Sequence, residues 1–145
     1  YNRRSPARRG TQGWYKDIQI EPMYEFGYGL SYSEFEYSPI TLSADKVAKD
    51  GKVTATVTVK NTSEVDGMET VQWYICDPVC RITRPVKELK HFEKRLVKAG
   101  TSEVFTFEID PMRDLSFVDN KGENFLDCGE YYIFVKDNKE VLNVE

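Results

Sequence analysis

His91 is the only histidine in the 145 residues. It has no second imidazole with which to build a metal centre, and no Ser or Cys stands in a recognisable nucleophile motif. The plain reading of His91 is a surface or internally satisfied side chain. Glu25, Glu34 and Glu36 flank an aromatic stretch, and two carboxylates across a sugar are what a glycosidase needs. These three fall on a linker and an edge strand, a poor scaffold for two carboxylates at a fixed separation. Asp45, Asp50, Asp66, Asp137 and Asn138 fall at turns without calcium-loop spacing. Cys76-Asp-Pro-Val-Cys80 lacks the second pair of a zinc site, and Cys128 makes the count odd. No catalytic residue, cofactor site or metal site is therefore expected.

The densest local feature is aromatic. Trp14, Tyr15, Tyr24, Phe26, Tyr28, Tyr32, Phe35 and Tyr37 crowd into 24 residues. Exposed rings of this kind stack on sugars or cover a neighbouring protein surface. On an irregular arm the second use is favoured.

The elements that would position these residues are strands. Residues 1–33 hold Pro6, Gly10, Gly13, Pro22, Gly27 and Gly29 and show no sustained period. Phe35 to Leu42 reads as a first strand, and Pro39 within it suits an edge. From Lys52 to Lys60, Val53, Ala55, Val57 and Val59 alternate with threonines, the pattern of a half-buried antiparallel strand. Asn61 to Gly67 reads as a polar turn. Thr70 to Cys76 places Val71, Trp73 and Ile75 inward. A long connection to about Leu89 contains Pro78 and Pro85, and Phe92 to Val97 is a weaker strand. After a turn at Lys98 to Thr101, Val104 to Ile109 places Phe105, Phe107 and Ile109 inward. Asp110-Pro111 suits the cap and first residue of one helical turn. Phe117, Val118, Phe125 and Leu126 bracket a hairpin. Tyr131, Ile133 and Val135 define another inward face, and Val141 to Glu145 a last strand.

About seven short strands at regular spacing predict an all-β, immunoglobulin-like sandwich with an irregular N-terminal arm. Val57, Val71, Trp73, Phe105, Phe107, Tyr131 and Ile133 are its expected core. In such sandwiches a Trp sits on the third strand and a tyrosine corner opens the sixth. Trp73 and Tyr131 occupy those places. The third and sixth strands are antiparallel neighbours, so Cys76 and Cys128 belong at the same end. A bridge from Cys128 to Cys76 or Cys80, or three reduced thiols, are both open to the sequence.

Charge divides the chain. Within residues 1–20, Arg3, Arg4, Arg8, Arg9 and Lys16 against Asp17 make +4, leaving −8 for the other 125 residues of a chain of net charge −4. An acidic body without a basic stripe does not favour phosphate, so nucleic acid is not an expected partner. No apolar run approaches the roughly 18 residues of a membrane helix. The chain starts without Met and without an apolar leader, which suggests a piece of a longer protein.

Glu21-Pro-Met-Tyr-Glu-Phe-Gly-Tyr-Gly-Leu-Ser-Tyr32 resembles the segment leading into the C-terminal domain of glycoside hydrolase family 3 enzymes, the β-glucosidases and β-xylosidases. Val57-Thr-Val-Lys-Asn-Thr62, Val71-Gln-Trp-Tyr-Ile75 with Asp77-Pro78, and Thr83-Arg-Pro-Val-Lys-Glu-Leu-Lys90 with Phe92 keep the family's order. Lys98-Ala-Gly100 and Gly129-Glu-Tyr131 do so too. Cys76, Cys80 and Cys128 depart from its usual residues. The end at Val144-Glu145 is early for its final strand, which predicts a frayed edge.

The resemblance implies a fibronectin type III-like domain over residues 34–145, and an exit segment of a preceding α/β sandwich domain over residues 1–33. It places the nucleophile in an upstream barrel and the acid/base in the α/β sandwich, so no catalytic residue carries over. The implied function is a non-catalytic accessory domain of a periplasmic or secreted β-glycosidase, most simply a β-glucosidase. Its partners would be the barrel and α/β sandwich domains of the same polypeptide, and a second subunit is the further partner the sequence admits. Phe26, Tyr28, Leu30, Tyr32, Arg84 and Glu88 are the expected interdomain contacts. A carbohydrate-binding module and an adhesion or dimerisation module are the alternatives.

Overall fold

The computed structural model describes residues 24, 27–79, 85–119 and 121–145. Its strands are β1 (Phe35–Tyr37), β2 (Thr41–Leu42), β3 (Lys46–Val47), β4 (Val53–Asn61), β5 (Gly67–Cys76) and β6 (Glu88–Val97). They continue with β7 (Ser102–Ile109), β8 (Phe117–Val118), β9 (Asn124–Phe125), β10 (Gly129–Val135) and β11 (Asn138–Val144). One sheet is built on β4, with β7 along one edge and β1 and β2 along the other. The second runs β3-β11-β10-β5-β6, antiparallel except for the parallel β3–β11 pair. This is an all-β sandwich of two layers.

Alternation explains why these segments pair face to face. Along β4, Val53, Ala55, Val57 and Val59 are buried while the threonines and Lys60 face outward. β-branched residues at every second position suit a pleated surface that is dry on one side. Phe105, Phe107 and Ile109 of β7 meet them from the same sheet, and Val71, Trp73, Ile75, Tyr131 and Ile133 from the other. Val57, Val71, Trp73, Phe105, Phe107, Tyr131 and Ile133 all lie in this one core.

The tyrosine corner is present. At the start of β10 the buried Tyr131 hydroxyl donates back to the Asp127 carbonyl at 2.9 Å. Pro39 separates β1 from β2, and both pair with β4 as an interrupted edge. A single π-helical turn, Pro111–Leu115, follows the Asp110 cap.

Four readings of the sequence are revised. β6 opens at Glu88, four residues before Phe92. The pairing shifts between Trp73↔His91 and Tyr74↔Leu89, so Lys90 is an extra residue, a β-bulge. The bulge breaks the alternation that would have announced the strand. Asn61 closes β4 fully buried, where a polar turn was expected. The last strand opens at Asn138, not Val141, and pairs with β10 through seven positions from Val135↔Asn138 to Gly129↔Val144, so its register is complete where fraying was expected. β3, two residues long, had no sequence signal. Cys76 and Cys128 are not bonded to each other. Cys80, the other partner considered for Cys128, lies outside the described residues.

The two sheets are also joined by a polar pair. The Tyr37 hydroxyl of β1 donates to Glu69 Oε1 of β5 at 2.6 Å. Burial, then that hydrogen bond and the Glu69 charge, push the phenol well above its ordinary value. A raised value means that the native state holds its proton after the unfolded chain has released it. This stabilisation is therefore complete below about pH 10 and is lost as pH rises above it. Tyr37→Phe removes the linkage. Urea titrations from pH 8 to 11.5 should show stability falling with a shallower slope above pH 10 in the variant than in the parent chain.

Candidate interdomain surface

The arm enters the sandwich at Ser33. That side chain is buried, and its hydroxyl donates to the Val65 carbonyl at 3.2 Å. It lies against Gly67, where a Cβ would fall 2.4 Å from Ser33 Oγ and 2.8 Å from the Phe35 ring, so only glycine fits. The arm makes a second close approach at Gly27. A Cβ there would lie 2.3 Å from Gln72 Oε1 and 3.1 Å from the Tyr74 hydroxyl, and φ is +86°. The positive φ favours glycine, and the close approach is to the end of the Gln72 side chain. Gln72 and Tyr74 face outward from β5, and the Tyr74 hydroxyl donates to Gln72 Oε1 at 2.8 Å.

Between these two anchors the arm turns its apolar side chains to solvent. Tyr28 is mostly exposed, Leu30 is 91% exposed and Tyr32 fully so. Tyr24 and Tyr28 touch, with ring centroids 4.9 Å apart. Three large apolar side chains at every second position of an anchored arm form a surface that a partner can cover. Phe26 and Arg84 lie outside the described residues. Glu88 lies at the start of β6, half-buried, with its carboxylate 2.7 Å from Lys90 Nζ. The structure thus brings Tyr28, Leu30 and Tyr32 together on one arm and places Glu88 on a different strand.

The residues weighed for chemistry are dispersed. Glu34 and Glu36 are exposed on and beside β1, and Glu25 lies outside the described residues. His91 shares the inward phase of Glu93, Arg95 and Val97 on β6, and its ring stacks on Phe107 at 5.0 Å and 11°. Lys90, His91, Phe107, Glu108, Arg113 and Asp114 line an open cleft of about 380 Å³ between the sheet edges. Its one buried carboxylate, Asp114, accepts from Arg113 Nε and Nη2 at 2.9 and 2.8 Å and from Asp110 N at 2.9 Å. A carboxylate so engaged braces the π-helical turn and is no candidate base. Among the described residues no group of three His, Cys, Asp or Glu could hold a metal ion, and no helix is long and apolar enough to cross a membrane.

What the sequence reading missed is the outward face of β5 and β6, where Phe92, Leu96 and Met68 are exposed. The available signal was Phe92 and Leu96 in phase with Lys94, an outward row on a strand read as weak.

The geometry agrees with relationships to known proteins. Residues 69–139 match the fibronectin type III-like domain model. The chain is 38% identical over 135 residues to the periplasmic β-glucosidase of Salmonella typhimurium, covering 93% of this chain and 17% of that protein. It is 43% identical over 108 residues to a β-glucosidase of Bacteroides ovatus, covering 74% and 14%. The solved β-glucosidase of Listeria innocua, in complex with glucose, superposes with a TM-score of 0.83 at 35% identity over 99% of this chain and 22% of that one. The chain thus spans about 14% to 22% of the length of these relatives. It carries the fibronectin type III-like domain of the glycoside hydrolase family 3 β-glucosidases.

Proposed function

We propose that this domain is a non-catalytic accessory module that packs against the catalytic part of a longer β-glycosidase polypeptide, a β-glucosidase by its relatives. The carrying observation is the apolar row of Tyr28, Leu30 and Tyr32 on an arm anchored at Gly27 and Ser33. Residues 1–33 serve as the exit segment from a preceding α/β sandwich domain, and residues 34–145 as the domain itself. The opening of β1 at Phe35 supports that division. Phe26, Arg84 and Glu88 join the contact with the barrel and α/β sandwich domains, and a second subunit is a further partner of the same surface. The periplasmic name of the Salmonella relative supports a periplasmic or secreted polypeptide.

The test uses the longer polypeptide. Burying a large apolar side chain contributes about 1.5–3 kcal/mol, so Leu30→Asp with Tyr32→Asp should lower its melting temperature by several degrees. The same pair should leave the melting of the 145-residue chain unchanged, because there both side chains are solvent-exposed. Equal melting of the longer polypeptide with and without the substitutions would remove the reading.

A further inference from the structure

Among the described residues β7 pairs only with β4, so it is an edge strand of its sheet. It is nevertheless built like an inner strand. Eight consecutive positions pair with β4, from Val53↔Ile109 to Lys60↔Ser102, with no bulge to bend it. Its sequence, Ser-Glu-Val-Phe-Thr-Phe-Glu-Ile, holds neither proline nor lysine. Long, regular edges of this kind are templates for another strand. Alternate residues of an antiparallel strand turn their backbone groups to opposite sides. The Thr54 and Thr58 carbonyls accept from Ser43 and Ser38, on the far side of β4 from β7. Their register partners Glu108 and Val104, with Thr106 between them, therefore turn their amides and carbonyls away from β4 to the free edge.

Two guanidiniums sit on that edge. Arg95 of β6 donates through Nη2 to the Val104 carbonyl at 2.8 Å and lies over the Phe105 ring, 4.3 Å from its centroid. Arg113 of the π-helical turn donates through Nη2 to the Glu108 carbonyl at 2.8 Å. A carboxylate holds each one in place. Glu93 Oε2 accepts from Arg95 Nη2 at 3.0 Å, and Asp114 accepts from Arg113 Nε and Nη2. We propose that Arg95 and Arg113 guard the β7 edge, and that the partner they exclude is β7 of a second copy of this chain. The edge is self-complementary. Antiparallel pairing about a two-fold axis at Thr106 sets Val104 against Glu108 and Phe105 against Phe107, so the faces match and no like charges stand opposite. The π-helical turn then has a task, which is to place Arg113 where it reaches back five residues to Glu108. The proposal does not rest on the accessory-domain reading.

Sedimentation and amide hydrogen exchange on the 145-residue chain test it. Arg95→Ala with Arg113→Ala should raise the self-association constant by about tenfold or more, because an incoming strand no longer displaces two charge-assisted hydrogen bonds. The Val104, Thr106 and Glu108 amides should then exchange more slowly as concentration rises, while the β4 and β10 amides keep their protection and verify the fold. Each single substitution opens half of the edge and should shift the constant in the same direction, so the test does not hang on the folding of the double variant. Thr106→Pro, added to the double variant, removes the central edge amide without touching the β4 ladder and should abolish the rise. An unchanged constant in the folded variants would overturn the proposal. So would a rise that survives Thr106→Pro, or one that leaves the three edge amides unprotected.

Discussion

Trp73→Ala should destabilise the domain by about 4 kcal/mol, the middle of the range for truncating a large buried aromatic. Trp73 is fully buried on β5, between the sheets, with its ring centroid 6.0 Å from that of Phe107. Its strand is hydrogen-bonded on both sides, to β10 and β6, so neither neighbour can move in to fill the space. The cost is then transfer free energy plus a cavity that persists. Trp73→Phe separates volume from polarity. The indole Nε1 is buried without a hydrogen-bond partner among the described residues, and removing an unpaired buried donor relieves a desolvation cost of about 1–3 kcal/mol. Trp73→Phe should therefore cost less than about 2 kcal/mol, despite the lost volume. Urea unfolding, with the slope unchanged and the midpoint shifted, checks both values.

The second large effect is polar. Asn61→Ala should cost about 3 kcal/mol, or roughly 10 °C in melting temperature for a domain of this size. Asn61 is fully buried. Its Nδ2 donates to the carbonyls of Val65 at 2.8 Å and Val97 at 2.9 Å, and its Oδ1 accepts from the Ser63 amide at 3.0 Å. One side chain thus ties the end of β4, the following turn and the end of β6. Alanine removes the donor from both carbonyls and the acceptor from the amide, and no smaller side chain restores them. Asn61→Asp keeps the shape but points a carboxylate oxygen at two carbonyls, so it should be at least as damaging. Thermal melting of the three proteins side by side orders them.

Different parts of the domain were legible to different degrees. Val53 to Val59 announced β4 because a dry face and a wet face impose a period of two on one uninterrupted strand. Tyr131 announced its own corner because the motif is local, with the hydroxyl reaching back only four residues. The all-β sandwich followed from such segments taken together. β6 was half hidden, since one extra residue at Lys90 reverses the phase of Glu88 and Leu89 against the rest of the strand, and its inward row holds His91, Glu93 and Arg95, residue types that do not announce a core face. β3 was invisible because two residues carry no period, and its pairing is set by Asn143 and Val144 at the far end of the chain. Asn61 was taken for a turn residue because its partners, above all Val97, are distant in sequence.

The candidate surface divides in the same way. Tyr28, Leu30 and Tyr32 were legible as an aromatic and apolar arm. The close approach of Gly27 to Gln72 and Tyr74 was not, because they meet it only through the fold.

The proposed role is mechanical support by a folded domain, without bond cleavage. The most direct test is to incubate the folded 145-residue chain, its cooperative melting verified, with an aryl β-glucoside. The account predicts release of the aryl group no faster than in buffer. Saturable turnover that co-purifies with the chain and is lost with Glu34→Gln or Glu36→Gln would contradict it.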